Sequence, residues 1–79
     1  MTYTKLGEAI FGIDPNWLDK DYEMFLGKLN KEYANLIRDH YVNGRSIDEI
    51  ANESKVEDIT INMIIDIALN QLKQKIDEY

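Results

Sequence analysis

Apolar side chains recur at intervals of three and four residues along almost the whole chain, and this spacing predicts helices. No segment shows the alternation of β-branched residues that is typical of a strand. With 79 residues and no cysteine, the chain has neither a disulfide framework nor a thiolate metal site to hold it together. We therefore predict an all-α fold, a small bundle of four to five helices in a single domain (residues 1–79), stabilised by apolar packing or by a partner.

Residues 1–28 are predicted to form a helical N-terminal extension. Asp14 and Pro15 favour a helix start. Asp caps free N–H groups, and Pro is tolerated in the first turn, where its missing N–H would have had no partner. A short helix before this point and a second helix after it each carry one apolar face. The expected inward residues are Leu6, Ala9, Ile10, Ile13, Leu18, Tyr22, Phe25, Leu26 and Leu29, with Trp17 beside them.

Residues 29–79 carry clear signals for helix ends. Asn30 is expected to cap a third helix, which ends at Asn43-Gly44 because Gly accepts a left-handed backbone. Ser46 and Glu49 form a capping box for a short fourth helix, and a long helix follows over about residues 59–76. The expected inner residues of this part are Tyr33, Leu36, Ile37, His40, Tyr41, Ile47, Ile50, Ala51, Ile61, Ile65, Ala68 and Leu72, with Val56 closing the turn against the core.

A helix, a glycine stop, a capped short helix, a tight turn and a long helix together indicate a helix-turn-helix. Over about residues 29–76 the chain resembles region 4 of bacterial RNA polymerase sigma factors and the related phage and mobile-element regulators. The matching residues are Leu29, Leu36-Ile37, Tyr41, Gly44, Ser46 to Ala51, Val56, Thr60-Ile61 and Ala68 to Leu72. The resemblance implies a transcription setting, with the long last helix as the recognition helix.

The recognition-helix positions depart from that family's chemistry. The register assigns them to Glu57, Asp58, Ile59, Asn62, Met63, Asp66 and Ile67, which include no Lys or Arg. Ile59, Met63 and Ile67 follow each other at i, i+4 and i+8, roughly opposite the inner stripe. This second apolar stripe has three interpretations: burial under the N-terminal helices, use as a protein or self-association interface, or incidental exposure.

The candidate site residues fall into two groups. For nucleic acid, Arg45 and Lys55 flank the short helix where the family touches phosphate, Thr60 is a further phosphate contact, and Asn62 has base-reading chemistry. For a protein interface, the candidates are Ile59, Met63 and Ile67 with the neighbouring acids Asp58 and Asp66.

Charge and residue inventory exclude several function classes. The chain carries net −6, and residues 29–79 alone hold ten acids against six bases, which opposes strong binding to nucleic acid or anionic lipid. His40, the only histidine, is predicted to be a packed residue rather than a general base, so we expect no enzyme, no cofactor, no metal and no small-molecule substrate. No apolar run approaches a membrane span, and a cytoplasmic protein is expected.

The favoured hypothesis is a small transcription-linked regulator that acts largely through protein contacts, with RNA polymerase, a sigma factor or itself, and with weak or no DNA binding of its own. Two alternatives stay open. One is a dimeric DNA-binding repressor or activator, in which a homodimer doubles the few basic contacts. The other is an acidic adaptor or inhibitor that occupies a basic, nucleic-acid-binding surface of another protein.

Overall fold

The computed structural model describes residues 3–13 and 15–78, and within them the chain forms five α-helices and no strand. This confirms the predicted all-α bundle. In chain order the helices are α1 (Thr4–Phe11), α2 (Asp19–Leu26), α3 (Lys31–Ile37), α4 (Ile47–Ser54) and α5 (Asp58–Glu78).

Two of the predicted helix starts are confirmed in atomic detail. The Asn30 side chain accepts a hydrogen bond of 2.8 Å from the Glu32 N–H at the start of α3. At the start of α4, the Ser46 hydroxyl accepts from the Glu49 N–H at 3.1 Å, and the Glu49 carboxylate accepts from the Ser46 N–H at 3.5 Å. Both arrangements satisfy N–H groups that have no partner within the helix.

The predicted start of α2 at Asp14-Pro15 is wrong. Asp14 lies outside the described residues, and residues 15–18 are not helical. Asn16 adopts a left-handed backbone with φ of 60°, which interrupts any helix begun at Pro15. The helix starts instead at Asp19, where the Asp21 carboxylate accepts from the Leu18 N–H at 2.9 Å.

A π-helical turn (Arg38–Val42) extends α3. Its wider winding joins the Asn43 N–H to the Arg38 carbonyl at 2.9 Å, and beyond the end of the turn the Arg45 N–H donates to the Asp39 carbonyl at 2.9 Å. Gly44, with φ of 75°, then reverses the chain, as predicted. Such turns accommodate one extra residue in a helix, and this one brings Asp39 and Arg45 to the same side of the molecule.

The core has two apolar clusters. One joins α1, α2 and α3 to the C-terminal half of α5, and the other joins α4 to the N-terminal half of α5. Tyr41, on the π-helical turn, packs against both. The predicted inner stripe of α5 is confirmed: Ile61, Ile65, Ala68 and Leu72 are all buried.

Three residues expected inside are exposed. Ile13 lies beyond the end of α1 and is 70% exposed, and Leu18 precedes α2 and is 60% exposed, because neither lies on the helix whose face it was predicted to share. Val56 is 42% exposed. Its backbone, rather than its side chain, closes the α4–α5 turn: the Val56 N–H donates to the Ala51 carbonyl at 3.1 Å.

Polar contacts tie the N-terminal helices to the π-helical turn. Arg38 donates from Nη2 to a carboxylate oxygen of Glu23 at 2.7 Å and from Nε at 3.1 Å, and the Tyr3 hydroxyl donates to the same carboxylate. Tyr3 also stacks on Tyr22, with 5.3 Å between ring centroids. These contacts hold the start of α1 and α2 against the π-helical turn, while the first apolar cluster packs α1, α2 and α3 on the core-facing side of α5.

Candidate interaction surface

The outward side of α5 carries an uncovered apolar stripe. Ile59, Met63 and Ile67, together named here the outer face, are 64%, 59% and 45% exposed. They lie one turn apart along the helix, so their side chains are adjacent. The interpretation that residues 1–28 bury this stripe is therefore wrong, since α1 and α2 pack on the opposite side of α5.

The surroundings of the outer face are neutral or acidic. Asp66 lies between Met63 and Ile67 in the sequence and, at 100° per residue, projects only 60° from Met63 around the helix axis. Asn62 and Asn70 are exposed on the same side. From Val56 to Leu72 the chain contains no Lys or Arg. A DNA backbone brought against this face would meet no cation on α5 for more than four helical turns.

Arg45 is engaged by carboxylates of its own chain. Its guanidinium lies 3.8 Å from Asp39 and 4.0 Å from Glu49, and it donates hydrogen bonds to both carboxylate oxygens of Glu53, with 3.3 Å from Nη1 to Oε1. The hydrogen bonds that Arg45 donates to the Glu53 carboxylate are the main reason that the pKa of Arg45 lies above its ordinary value. Three acids around one base leave a local negative charge, so this predicted phosphate contact is shielded.

Lys55 is exposed and has a backbone role. It ends α4 in a left-handed conformation with φ of 58°, and its N–H donates to the Asn52 carbonyl at 3.4 Å. Together with the Val56 N–H bond to Ala51 this forms a Schellman-type helix end. Arg45 and Lys55 are the two basic residues among the predicted nucleic-acid contacts, and within residues 3–13 and 15–78 Lys55 forms no ion pair.

The remaining predicted contacts do not form one patch. Thr60 and Asn62 are both exposed, but at 100° per residue they project about 160° apart around α5. Asp58 is turned away from the outer face toward α4, where hydrogen bonding with Asp48 raises the pKa of Asp58 above its ordinary value. The structure therefore brings together Ile59, Met63, Ile67 and Asp66, and it separates Thr60 from Asp58 and Asn62, which lie one turn apart on another side of α5.

A second surface was not predicted. Between α3 and the α4–α5 pair lies a groove of about 470 Å³, because α4 and the N-terminal half of α5 do not close fully against α3. We name it the α3–α4 groove. It is lined by Glu32, Tyr33, Asn35, Leu36, Asp39, Arg45, Ile50, Glu53, Ser54, Val56, Ile61 and Ile64. The sequence signal for this groove is that α3, α4 and the start of α5 all carry apolar residues on the sides that face one another. Periodicity alone assigns these residues to the core.

His40 occupies a packing position. Its Nδ1 lies 2.9 Å from the Arg45 carbonyl, and its ring meets Tyr41 edge-on at 4.9 Å between centroids. Within residues 3–13 and 15–78, no group of three or more His, Asp or Glu is arranged to hold a metal ion. None of the helices in that part of the chain combines the length and apolar character of a membrane span.

No protein-family model, curated protein or solved structure matches the chain. The outer face and the α3–α4 groove are both apolar with acidic surroundings, and Arg45, which precedes α4, is held by acids.

Proposed function

We propose that this chain is a small transcription-linked regulator whose α4–α5 pair, arranged like a helix-turn-helix, acts through protein contacts and binds DNA weakly or not at all. The transcription setting rests on the resemblance of residues 29–76 to sigma region 4. The protein-contact mode rests on one observation: the exposed outer face of Ile59, Met63 and Ile67 occupies the side of α5 that a DNA reader presents to the major groove.

The free energy available at the outer face favours a protein partner. Full burial of one Ile or Met side chain contributes ~1.5–3 kcal/mol, and about half of each of the three side chains is exposed, so a partner gains roughly 2–4 kcal/mol here. The basic side chains of Arg45 and Lys55 offer DNA only weak, salt-sensitive contacts. Since micromolar affinity requires about 8 kcal/mol, the partner must also contact a wider area around the stripe.

The first test measures binding of the purified chain to bacterial core RNA polymerase and to a free primary sigma factor by biolayer interferometry. Met63→Glu places a charge at the centre of the outer face and is expected to weaken the binding at least tenfold. The matched control is Ile13→Glu, the same kind of exchange at a residue that is 70% exposed and lies far from α5 in the sequence. The proposal predicts that this control binds like the parent.

Two outcomes contradict the proposal. If Met63→Glu binds as tightly as the parent, the outer face is not the contact. If neither the polymerase nor the sigma factor binds the parent chain, the transcription setting is wrong. Circular dichroism of each variant shows whether the fold is intact, which we expect because both side chains are exposed.

The acidic adaptor is a second candidate, favoured by a specific observation. Asp66 is exposed beside the outer face, and no Lys or Arg of α5 before Lys73 neutralises it. Such a surface complements a basic, nucleic-acid-binding surface on another protein. Inhibition of a nucleic-acid enzyme by the parent chain, lost in Asp66→Lys and retained in Asp77→Lys, would favour the adaptor over the polymerase regulator.

A second copy of the chain is the alternative occupant of the outer face. Self-association depends on concentration, so sedimentation at about 100 µM detects it. A dimer that dissociates in Met63→Glu and persists in Ile13→Glu would assign the outer face to self-association, and would reopen the dimeric DNA-binding alternative.

A further inference from the structure

The α3–α4 groove has an apolar floor that remains partly open to solvent. Ile50 and Ile61 are buried at its base, while Tyr33, Leu36 and Ile64 are only half-buried along its sides. Val56 is 42% exposed at its edge. A cavity of about 470 Å³ falls within the ~300–1,000 Å³ range of binding clefts and admits several large apolar side chains.

The rim of the groove is acidic. Glu32 on α3, Asp39 on the π-helical turn and Glu53 on α4 contribute three carboxylates, against the single guanidinium of Arg45. Arg45 forms ion pairs with two of these acids, Asp39 and Glu53, so its positive charge is neutralised within the rim. The rim therefore carries a net charge of −2 around an apolar floor.

We propose that the α3–α4 groove binds a cationic amphipathic helix of a partner protein. Apolar side chains at i, i+3, i+4 and i+7 of that helix would enter the floor, which is the usual mode of helix-in-groove recognition. Its Lys and Arg side chains would lie against Glu32, Asp39 and Glu53, where opposite charges steer association and fix orientation.

Charge complementarity selects this occupant over the others. Nucleic acid, phosphorylated ligands and anionic membranes are repelled by the acidic rim. A second copy of this chain is a poor occupant, because the chain has net −6 and its bases are interspersed with acids; Lys73 and Lys75, for example, are followed by Asp77 and Glu78. The inference goes beyond the proposed function, since the groove lies away from the outer face of α5.

The test uses an 18-residue amphipathic helical peptide of Leu and Lys, labelled with fluorescein and titrated by fluorescence polarisation at low salt. Binding to the parent chain is expected, with affinity falling as salt rises because exposed charges are screened. A peptide of the same composition, reordered so that Leu and Lys no longer segregate on the helix, is expected to bind at least tenfold more weakly.

Paired charge-reversal variants locate the contact. Glu32→Lys with Glu53→Lys is expected to reduce the affinity for the amphipathic peptide at least tenfold. Glu8→Lys with Asp77→Lys changes the net charge by the same amount at exposed positions outside the groove, and should change the affinity less than twofold. Equal losses in the two double variants would overturn the proposal, because they would indicate attraction to net charge alone.

Methyl NMR of the parent chain gives a readout that needs no variant. The proposal predicts that the largest shift changes on peptide addition occur at Leu36, Ile61 and Ile64, which line the groove. Changes confined to Ile59, Met63 and Ile67 would place the peptide on the outer face of α5 and would refute the groove assignment while leaving the proposed function intact. If the reordered peptide binds as tightly as the amphipathic peptide, the groove proposal is refuted as well.

Discussion

At the scale of single residues, Gly7 marks the closest approach between α1 and the rest of the core. A Cβ atom built there would collide with the Tyr22 hydroxyl and lie 3.1 Å from Cδ of Pro15. Tyr22 cannot retreat easily, because it is only 4% exposed and its ring is held between Tyr3 and Trp17. Close packing in this aromatic cluster therefore requires Gly at this helical position.

Gly7→Ala is expected to lower the free energy of unfolding by about 1–2 kcal/mol, although Ala is the better helix former by ~1 kcal/mol, because overpacking outweighs propensity. Urea unfolding followed by circular dichroism measures the effect. Gly27→Ala is the matched control: Gly27 has φ of −64°, and an added Cβ meets only carbonyl oxygens of the preceding turn. A Gly7→Ala variant as stable as the parent would show that the α1 contact is looser than described.

Lys55 is the second residue with a definite energetic signature. An L-residue in the left-handed region is strained by roughly 1–2 kcal/mol, and Lys55 holds this conformation at the end of α4. Lys55→Gly should therefore raise the free energy of unfolding by about 0.5–1 kcal/mol after the greater flexibility of Gly in the unfolded chain is counted. Lys55→Ala removes the same charge and keeps the Cβ, so thermal melts of the two variants should differ; equal melting temperatures would refute the strain.

At the scale of the elements, the contact of Glu23 with Arg38 and Tyr3 joins α2, the π-helical turn and the start of α1. Hydrogen bonding from Arg38 is the largest cause that lowers the pKa of Glu23 below its ordinary value. A lowered carboxyl pKa stabilises the fold at pH values above the unfolded-state pKa, and this stabilisation is lost as the pH falls through the folded-state pKa.

Glu23→Gln is therefore expected to destabilise the fold at pH 7 and to have little effect once the pH falls below the folded-state pKa of Glu23. Because both side chains are about one-third exposed, screening limits the difference to ~0.5–1 kcal/mol. Urea unfolding of the parent, Glu23→Gln and the exposed control Glu8→Gln across the acid range tests this. A Glu23→Gln deficit that persists unchanged in acid would contradict the assignment.

The contact between Tyr3 and Glu23 also makes the stability of the fold fall at alkaline pH. Burial and the neighbouring Glu23 carboxylate raise the pKa of Tyr3 to about 12. The fold favours the neutral phenol, so between the ordinary tyrosine pKa near 10 and this raised value the unfolded chain releases a proton that the folded chain retains. Stability should thus decline across that range, and Tyr3→Phe should reduce the decline.

At the scale of the whole molecule, local rules predicted what depends on local sequence. Helical spacing alone predicts which residues of α5 face inward, namely Ile61, Ile65, Ala68 and Leu72. The Ser46–Glu49 capping box was identified for the same reason, since all its partners lie within one helical turn.

What escaped prediction depends on contacts between distant segments. The start of α2 is displaced because Trp17 packs against Phe11 and Phe25, which keeps residues 15–18 out of the helix. The exposure of Met63 depends on where α1 and α2 pack, and periodicity carries no such information. The shielding of Arg45 depends on Glu53, eight residues along the chain, and on Asp39 of the π-helical turn, and periodicity does not indicate either contact.

In the proposed function, the outer face of α5 contacts a protein and does not read DNA. The most direct test is a fluorescence-polarisation titration of the purified chain with a labelled random-sequence duplex at low salt, beside the variant in which Arg45, Lys55 and Asn62 are all Ala. We predict no saturable binding below about 10 µM, and no difference between parent and variant. Non-specific DNA binding needs several Lys or Arg side chains that are free of acidic partners. Sub-micromolar binding by the parent that disappears in the triple variant would contradict the account.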